Sequence, residues 1–221
     1  MGYHPVFLDL RGRPCVVVGG GAVAQEKVES LLDAGARVTV VSPSLTAALE
    51  ALAATHEVVH HPRAYRRGDL DDAVLAYVAV EDDAVRAAVA AEGAASRVLV
   101  NVVDVPQLCT FISPAVVRRE AVVVAVSTGG ASPALARRLR EELEERVGPE
   151  YGVAATILAR VRPIIQSAEP DPQTRARTFA RLVDGPLLDA LRKRDAAEVD
   201  AILRDAAGEG ATLRALGVDL R

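Results

Sequence analysis

Residues 16–27 read VVVGGGAVAQEK, an apolar run that breaks at three glycines and resumes as helix-forming sequence. The β-branched run PCVVV at 14–18 suits a short buried strand. After the glycines, Ala24, Val28, Leu31 and Leu32 recur at helical spacing, and Gly35 suits the helix's C-terminal cap. Gly19, Gly21 and Ala24 stand at the positions of a Gly-x-Gly-x-x-Ala fingerprint. Gly19 permits the tight turn, Gly21 lets backbone approach a pyrophosphate, and Ala24 lets the helix pack closely on the strand. The start of the helix supplies unpaired N–H groups and the positive end of a dipole. A strand can also end in glycine for the turn alone. The strand before the motif and the helix after it decide for nucleotide binding.

Working outward, the same grammar repeats. RVTVV at 37–41 reads as a second buried strand, an Ala/Leu helix covers about 44–54, and a third strand includes Val58 and Val59. A fourth strand is expected over Leu75–Val80, an Ala-rich helix over about 83–95, and a fifth strand over Val98–Val102. Strands alternating with helices predict βαβ units and a parallel, Rossmann-like sheet. Near residue 113 the pattern changes. Ala121–Val126 is another β-branched run, followed by STGGASP at 127–133, where Ser132 and Pro133 start a helix. Leu135, Leu139, Leu143 and Val147 line one side of that helix. From Tyr151 the sequence is helical, charged and rich in Ala, Leu and Arg, with a break at AEPDP, 168–172. The expected fold class is α/β. A Rossmann domain at 1–113 is followed by a small α+β dimerisation domain at 114–149 and a helical domain at 150–221.

Composition narrows the partners. The 221 residues can bury a core, and with 50% hydrophobic but only 3% aromatic residues that core must be mainly Ala, Val and Leu. A net charge of −4 without a long basic run gives no footprint for nucleic acid. No apolar stretch approaches the roughly 20 residues that span a bilayer. The start, MGYHPVFLDLRGRPC, lacks the layout of a signal peptide. Cys15 and Cys109 make neither a disulfide framework nor a metal cluster, which points to the cytoplasm.

The fingerprint is incomplete. A site for NAD usually has an Asp or Glu at the end of the second strand to hold the ribose, but here that end reads Val41-Ser42-Pro43-Ser44. Backbone groups or the serine hydroxyls must then do that work. No basic residue follows directly to welcome a 2′-phosphate, which leans to NAD over NADP.

VVVGGGAVAQEKVESLLDAGARVTVVSP at 16–43 and NVVDVPQLCTFISPAVVRREAVVVAVSTGGASPALARRLREELE at 101–144 resemble the precorrin-2 dehydrogenase/sirohydrochlorin ferrochelatase family. This family is also the N-terminal module of siroheme synthases. The resemblance runs from about Pro5 to Val147, and after Tyr151 it rests on helical character and length. It implies NAD-dependent oxidation of precorrin-2 to sirohydrochlorin, followed in some members by insertion of ferrous iron, so Fe2+ is a candidate second substrate. It also implies a homodimer built from Rossmann, dimerisation and helical parts. Trifunctional synthases continue into a methyltransferase domain, for which this chain is expected to be too short. Position by position, the resemblance puts cofactor contacts on Ala22, Val23, Pro43 and Ser44 and the catalytic aspartate on Asp104. A serine phosphorylated in one branch matches Thr128, a departure from the pattern.

The residues by themselves allow this chemistry. Asp104 follows the fifth strand at its C-terminal end, where open parallel sheets place their ligands. Oxidation of a tetrapyrrole removes a hydride from one carbon and a proton from a neighbouring position. The cofactor takes the hydride, and a carboxylate partly shielded from water suits the proton. The plainer alternative is that Asp104 caps a turn before Pro106. Ser127, Thr128, Gly129 and Gly130 form a second glycine-rich approach to a helix, an anion site for a carboxylate-rich substrate or simply a turn. Arg118, Arg119, Arg137 and Arg138 suit such a substrate or else form a solvated face. His60 and His61 point to opposite faces of a strand, so they are read as edge or surface residues, not as metal ligands. Glu81-Asp82-Asp83 is read as a helix start. The rival functions are a nucleotide-sensing module without catalysis and a dehydrogenase for another acidic metabolite.

Overall fold

In the computed structural model, which describes residues 2–220, the chain divides into two compact units that meet in sequence at Ser113 and Pro114. The first unit is a five-stranded parallel sheet: β1 (Pro14–Val18), β2 (Arg37–Val41), β3 (Val58–His61), β4 (Leu75–Val78) and β5 (Leu99–Val102), in spatial order β3-β2-β1-β4-β5. The chain builds outward from β1 to β3, then returns to lay β4 against the other side of β1. The order therefore reverses between β1 and β4, and the crevice outside their carboxyl ends is where such sheets bind ligands.

Both faces of the sheet are covered, which is why its strands are almost continuously apolar. Cys15 and Val17 point into one core with Ala24, Val28 and Leu31 of α1 (Ala22–Asp33) and Leu49 of α2 (Ala47–Ala54). Val16 and Val18 point into the other core with Val89 of α3 (Asp83–Ser96), Val100 and Val102. Val17 has no exposed surface, so its burial contributes about 1.5–3 kcal/mol.

Local chemistry sets the ends of these elements. Ala36 N–H donates to Leu31 O and Gly35 N–H to Leu32 O, the paired bonds that close α1 at the glycine read as its cap. Thr46 caps α2, so that helix begins at Ala47 and not at 44. β4 stops at Val78, short of the expected Val80, where the chain passes the glycine turn. Asp82 accepts from Ala84 and Val85 N–H groups and starts α3, as its acidic neighbourhood suggested. No helix joins β3 to β4. Instead, the loop between them is held by the buried Glu92 carboxylate, which accepts from Tyr65 Oη at 2.5 Å and from the Gly68 and Leu70 N–H groups.

The second unit opens with an antiparallel hairpin of β6 (Ala115–Arg119) and β7 (Val122–Val126), on which α4 (Pro133–Arg146) packs. β6 is missing from the sequence reading because its AVVRR carries two arginines. The Arg119 guanidinium holds Val147 O and Glu144 O at the end of α4. Then come α5 (Pro149–Ala168), α6 (Pro172–Asp184), α7 (Leu187–Lys193) and α8 (Ala196–Ala207) around a core that includes Ile157, Val161, Leu182, Leu187, Val199 and Leu203. The break read at 168–172 is present, with Asp171 capping α6. The later breaks, at Gly185-Pro186 and at the left-handed Arg194, were not anticipated. Among the described residues no helix is long and apolar enough to cross a membrane.

Candidate functional site

The glycine turn joins β1 to α1 at the sheet's point of reversal. Gly19 adopts φ +125°, and a Cβ there would lie 2.4 Å from Ala79 O on the far side of the crevice. Gly20 is tighter still: a Cβ would meet Ser44 O at 1.9 Å and Ser42 Oγ at 2.7 Å. Gly20 has no assigned place in the Gly-x-Gly-x-x-Ala fingerprint, yet it is the residue against which the β2 turn packs. The run of three glycines was the available signal. Gly21 is different. It caps α1 with φ −83°, and a Cβ there would have nothing within 4 Å. No side chain caps α1, so the first N–H groups of the helix, including those of Ala22 and Val23, have no partner among the described residues. Ala24, fully buried, lets α1 sit close on the sheet. An anionic diphosphate fits this arrangement: exposed backbone at Gly21, helical donors behind it, and no side chain in the way.

The turn after β2 is more tightly tied than its sequence suggests. Ser42 is buried and its hydroxyl donates to Ser44 O at 2.7 Å, so it is engaged within the turn and does not reach outward as a ribose donor. Thr46 N–H donates to Gly20 O at 2.9 Å, linking the β2 turn to the glycine turn. His60, read as an edge residue, reaches from β3 and donates from Nε2 to Ser42 O at 2.9 Å. Pro43 and Ser44 remain exposed at the surface of this turn.

Asp104 sits past the carboxyl end of β5, in a turn closed by Val105 N–H to Val102 O at 3.1 Å. Its φ is +60°, a left-handed conformation that costs an L-residue about 1–2 kcal/mol and that Asp and Asn tolerate best. The carboxylate caps nothing. The following 3-10 turn (Pro106–Leu108) has Val105 at its cap position and no side-chain bond there, and among the described residues none hydrogen-bonds the Asp104 side chain. The capping alternative is thereby removed. The expectation of a partly shielded carboxylate also needs correcting, since Asp104 is exposed within its own chain. Its strained backbone is braced by Cys109, whose thiol donates toward Val102 O and Val105 O at 3.2 and 3.3 Å. Burial pushes that thiol's pKa upward, so Cys109 stays protonated and able to donate. No spacing rule in the sequence would have revealed this brace.

In the second unit, the loop before α4 is largely satisfied by itself. Gly129 N–H donates to Ser127 Oγ, Ala131 N–H to Thr128 O, and Ser132 N–H to Thr128 Oγ1. Thr128 Oγ1 in turn donates to Ser132 O at 3.0 Å, which engages the hydroxyl that matched a phosphorylated serine. Gly129 and Gly130, at φ +63° and +85°, make the turn possible. Arg137 and Arg138 pair with Glu141 and Glu142 one helical turn on, and Arg119 is structural, so of the four arginines Arg118 alone makes no side-chain hydrogen bond or ion pair among the described residues. On α4, Leu135 and Leu139 remain 51% and 37% exposed. Among the described residues no group of three or more His, Cys, Asp or Glu is placed to hold a metal ion.

Comparison with known proteins adds family matches and relatives. Residues 6–115 match a family model described as putative NAD(P)-binding, 124–146 one for the central part of sirohaem biosynthesis proteins, and 150–206 one for the sirohaem synthase dimerisation region. That last description falls on the segment expected to be the helical domain. Siroheme synthases from Thioalkalivibrio sulfidiphilus and Methylococcus capsulatus are 41% and 40% identical over 95% and 96% of this chain, covering 45% and 44% of their own length. The chain thus spans about half the length of the curated relatives it matches. A solved structure titled as a precorrin-2 dehydrogenase, SirC, is similar with a TM-score of 0.77 at 25% identity, over 92% of this chain and 98% of that one.

Proposed function

The chain belongs to the siroheme synthase family, and from that premise we propose that it oxidises precorrin-2 to sirohydrochlorin with NAD as hydride acceptor. The observation that carries the proposal is the placement of Asp104. A strained residue with a free carboxylate stands at the carboxyl end of β5, in the same unit and at the same end of the sheet as the glycine turn. A nucleotide-sensing module has no use for such a group.

In this reading Gly19, Gly20 and Gly21 keep the β1–α1 turn clear of side chains, and the Ala22 and Val23 N–H groups bind the diphosphate. Ala24 seats the helix, and the turn from Ser42 through Pro43 to Ser44 receives the adenosine ribose through its backbone. NAD supplies the hydride acceptor. Asp104 takes the proton that leaves the neighbouring position of the macrocycle, so each oxidation removes one hydride and one proton. Substrate docking completes the shielding that the exposed carboxylate lacks and raises its basicity in the complex. Ser127, Thr128, Gly129, Gly130, Arg118 and Arg137 are the candidate contacts to substrate carboxylates. Arg118 ranks first because it has no competing side-chain partner among the described residues, whereas Arg137 must leave Glu141.

We further propose a cytoplasmic homodimer, supported by the two free thiols and by the apolar side chains left uncovered on α4. The division into 1–113, 114–149 and 150–221 is carried as part of the same proposal, and the family models also change between 146 and 150. The deciding experiment is anaerobic incubation with precorrin-2 and NAD. The sirohydrochlorin spectrum should appear as NADH forms in equal amount, and no spectral change would defeat the assignment. Ferrous iron insertion is assayed apart, with sirohydrochlorin and Fe2+ supplied and NAD omitted.

A further inference from the structure

The sheet lacks the carboxylate that usually holds the adenosine ribose, and the hydroxyl of Ser42 is engaged inside its own turn. Recognition at this end is then left to backbone groups of the turn and to the exposed Ser44, and backbone groups recognise a ligand only if their conformation is set beforehand. Two contacts set it from the side of β1: Ser44 O lies against Gly20, and Thr46 N–H bonds Gly20 O. From the other side a single side chain does so. His60 reaches from β3, where it pairs with Val40, and donates from Nε2 to Ser42 O at 2.9 Å. Because a carbonyl only accepts, the proton must be on Nε2. The backbone of β3 adds a bond from Ser42 N–H to His61 O at 3.2 Å, so the first residue of the turn is held at both its polar backbone groups.

We infer that His60 is a positioning residue for cofactor binding: by fixing the Ser42 carbonyl it pre-sets the Ser42–Ser44 turn that receives the adenosine half of NAD. The inference rests on the reading of the glycine turn as the NAD site. It assigns His60 no contact with the reacting atoms.

The test uses His60→Met and His60→Gln, side chains of nearly equal length that differ in the N–H donor, with NAD affinity read by calorimetry. Wild-type protein is titrated first. Failure to bind NAD there would overturn the site itself, a result distinct from any difference among variants. With binding established, His60→Met should weaken NAD binding by about 3- to 10-fold, the usual effect of losing one hydrogen bond. His60→Gln should restore it to within about twofold. In turnover the Met variant should raise KM for NAD while kcat at saturating NAD holds. A merely structural role would instead lower kcat and thermal stability in step. Equal affinity in Met and wild-type protein, or equal loss in Met and Gln, would overturn the inference. If the Met variant does not fold, His60→Val, a good strand former without a donor, takes its place against Gln under the same criteria.

Discussion

Gly21→Asp separates the glycine turn's role in binding from its role in folding. The position has φ −83° and ψ −174°, open to any residue, and a Cβ there has nothing within 4 Å, so the new side chain meets no clash. It also stands at the N-cap of α1, which has no side-chain cap of its own. Aspartate is a preferred residue there and should accept from one of the free helical N–H groups, a gain over glycine of only a few tenths of a kcal/mol. Folding stability should therefore hold or rise slightly, with Tm moving by no more than about 2 °C. Binding moves the other way. The carboxylate occupies the donors on which the diphosphate depends and places a negative charge beside it. Two unit charges about 4 Å apart at an effective dielectric of about 20 repel by about 4 kcal/mol. That corresponds to roughly a thousandfold loss of affinity for NAD. Circular-dichroism melting and calorimetric titration on the same preparation report both quantities. A folded variant that binds NAD as wild type does would refute the placement of the diphosphate, and a variant that unfolds would refute the reading of Gly21 as conformationally free.

The remaining expectations probe the other parts of the molecule. Asp104→Asn keeps a residue that tolerates the left-handed turn but cannot take a proton, so dehydrogenation should fall about 10²- to 10⁴-fold while NAD affinity stays within about twofold; oxidation at the wild-type rate would return Asp104 to the role of a turn residue. Burial pushes the Cys15 thiol up to about 11 from the ordinary 9.0, so its contribution to stability is full below pH 9 and is lost as pH rises toward 11. Urea titrations across that range should show a downward slope that Cys15→Val reduces, and identical slopes would count against the assignment. Leu139→Asp puts a charge on the uncovered face of α4 and should shift a dimer toward monomer, whereas light scattering that still finds a well-folded dimer would remove α4 from the interface.

Much of the first unit was legible because its signals are local. A buried parallel strand announces itself as PCVVV or RVTVV, and a helix start as Asp82 or as Ser132 before Pro133. β6 escaped because its two arginines break the apolar run. One of them, Arg119, is there to hold carbonyls of α4 that lie 25 and 28 residues away. The helical breaks at Gly185 and Arg194 escaped for a related reason: the surrounding sequence stays helical in composition, and the short α7 between them packs against α5, α6 and α8. Glu92 belongs with these. An acid late in an Ala-rich helix carries no sequence signal of burial, yet Glu92 is buried and organises the loop that replaces a crossover helix.

The site divides along the same line, and the division has a physical cause. Gly19, Gly21 and Ala24 could be singled out because the role proposed for them is to carry little or no side chain, and a small or missing side chain is visible in sequence. The absent ribose acid was equally visible, but its consequence was not. With no carboxylate to project, the β2 turn is left to present its backbone and the exposed Ser44, and that presentation depends on what holds the turn. Those restraints are Gly20, Ser42 and His60, of which His60 lies eighteen residues beyond the carbonyl it bonds. Parallel pairing alone brings them together: Val41 lies opposite His61, so the residue before His61 falls within reach of the residue after Val41. Asp104 follows the same logic. Its identity pointed to proton transfer, while its left-handed backbone and its brace from Cys109 depend on the turn closing against β5. In both places the chemistry is assigned to one residue and the geometry to another some distance along the chain, so a substitution at His60 or Cys109 should disturb function although neither residue is itself assigned a ligand contact.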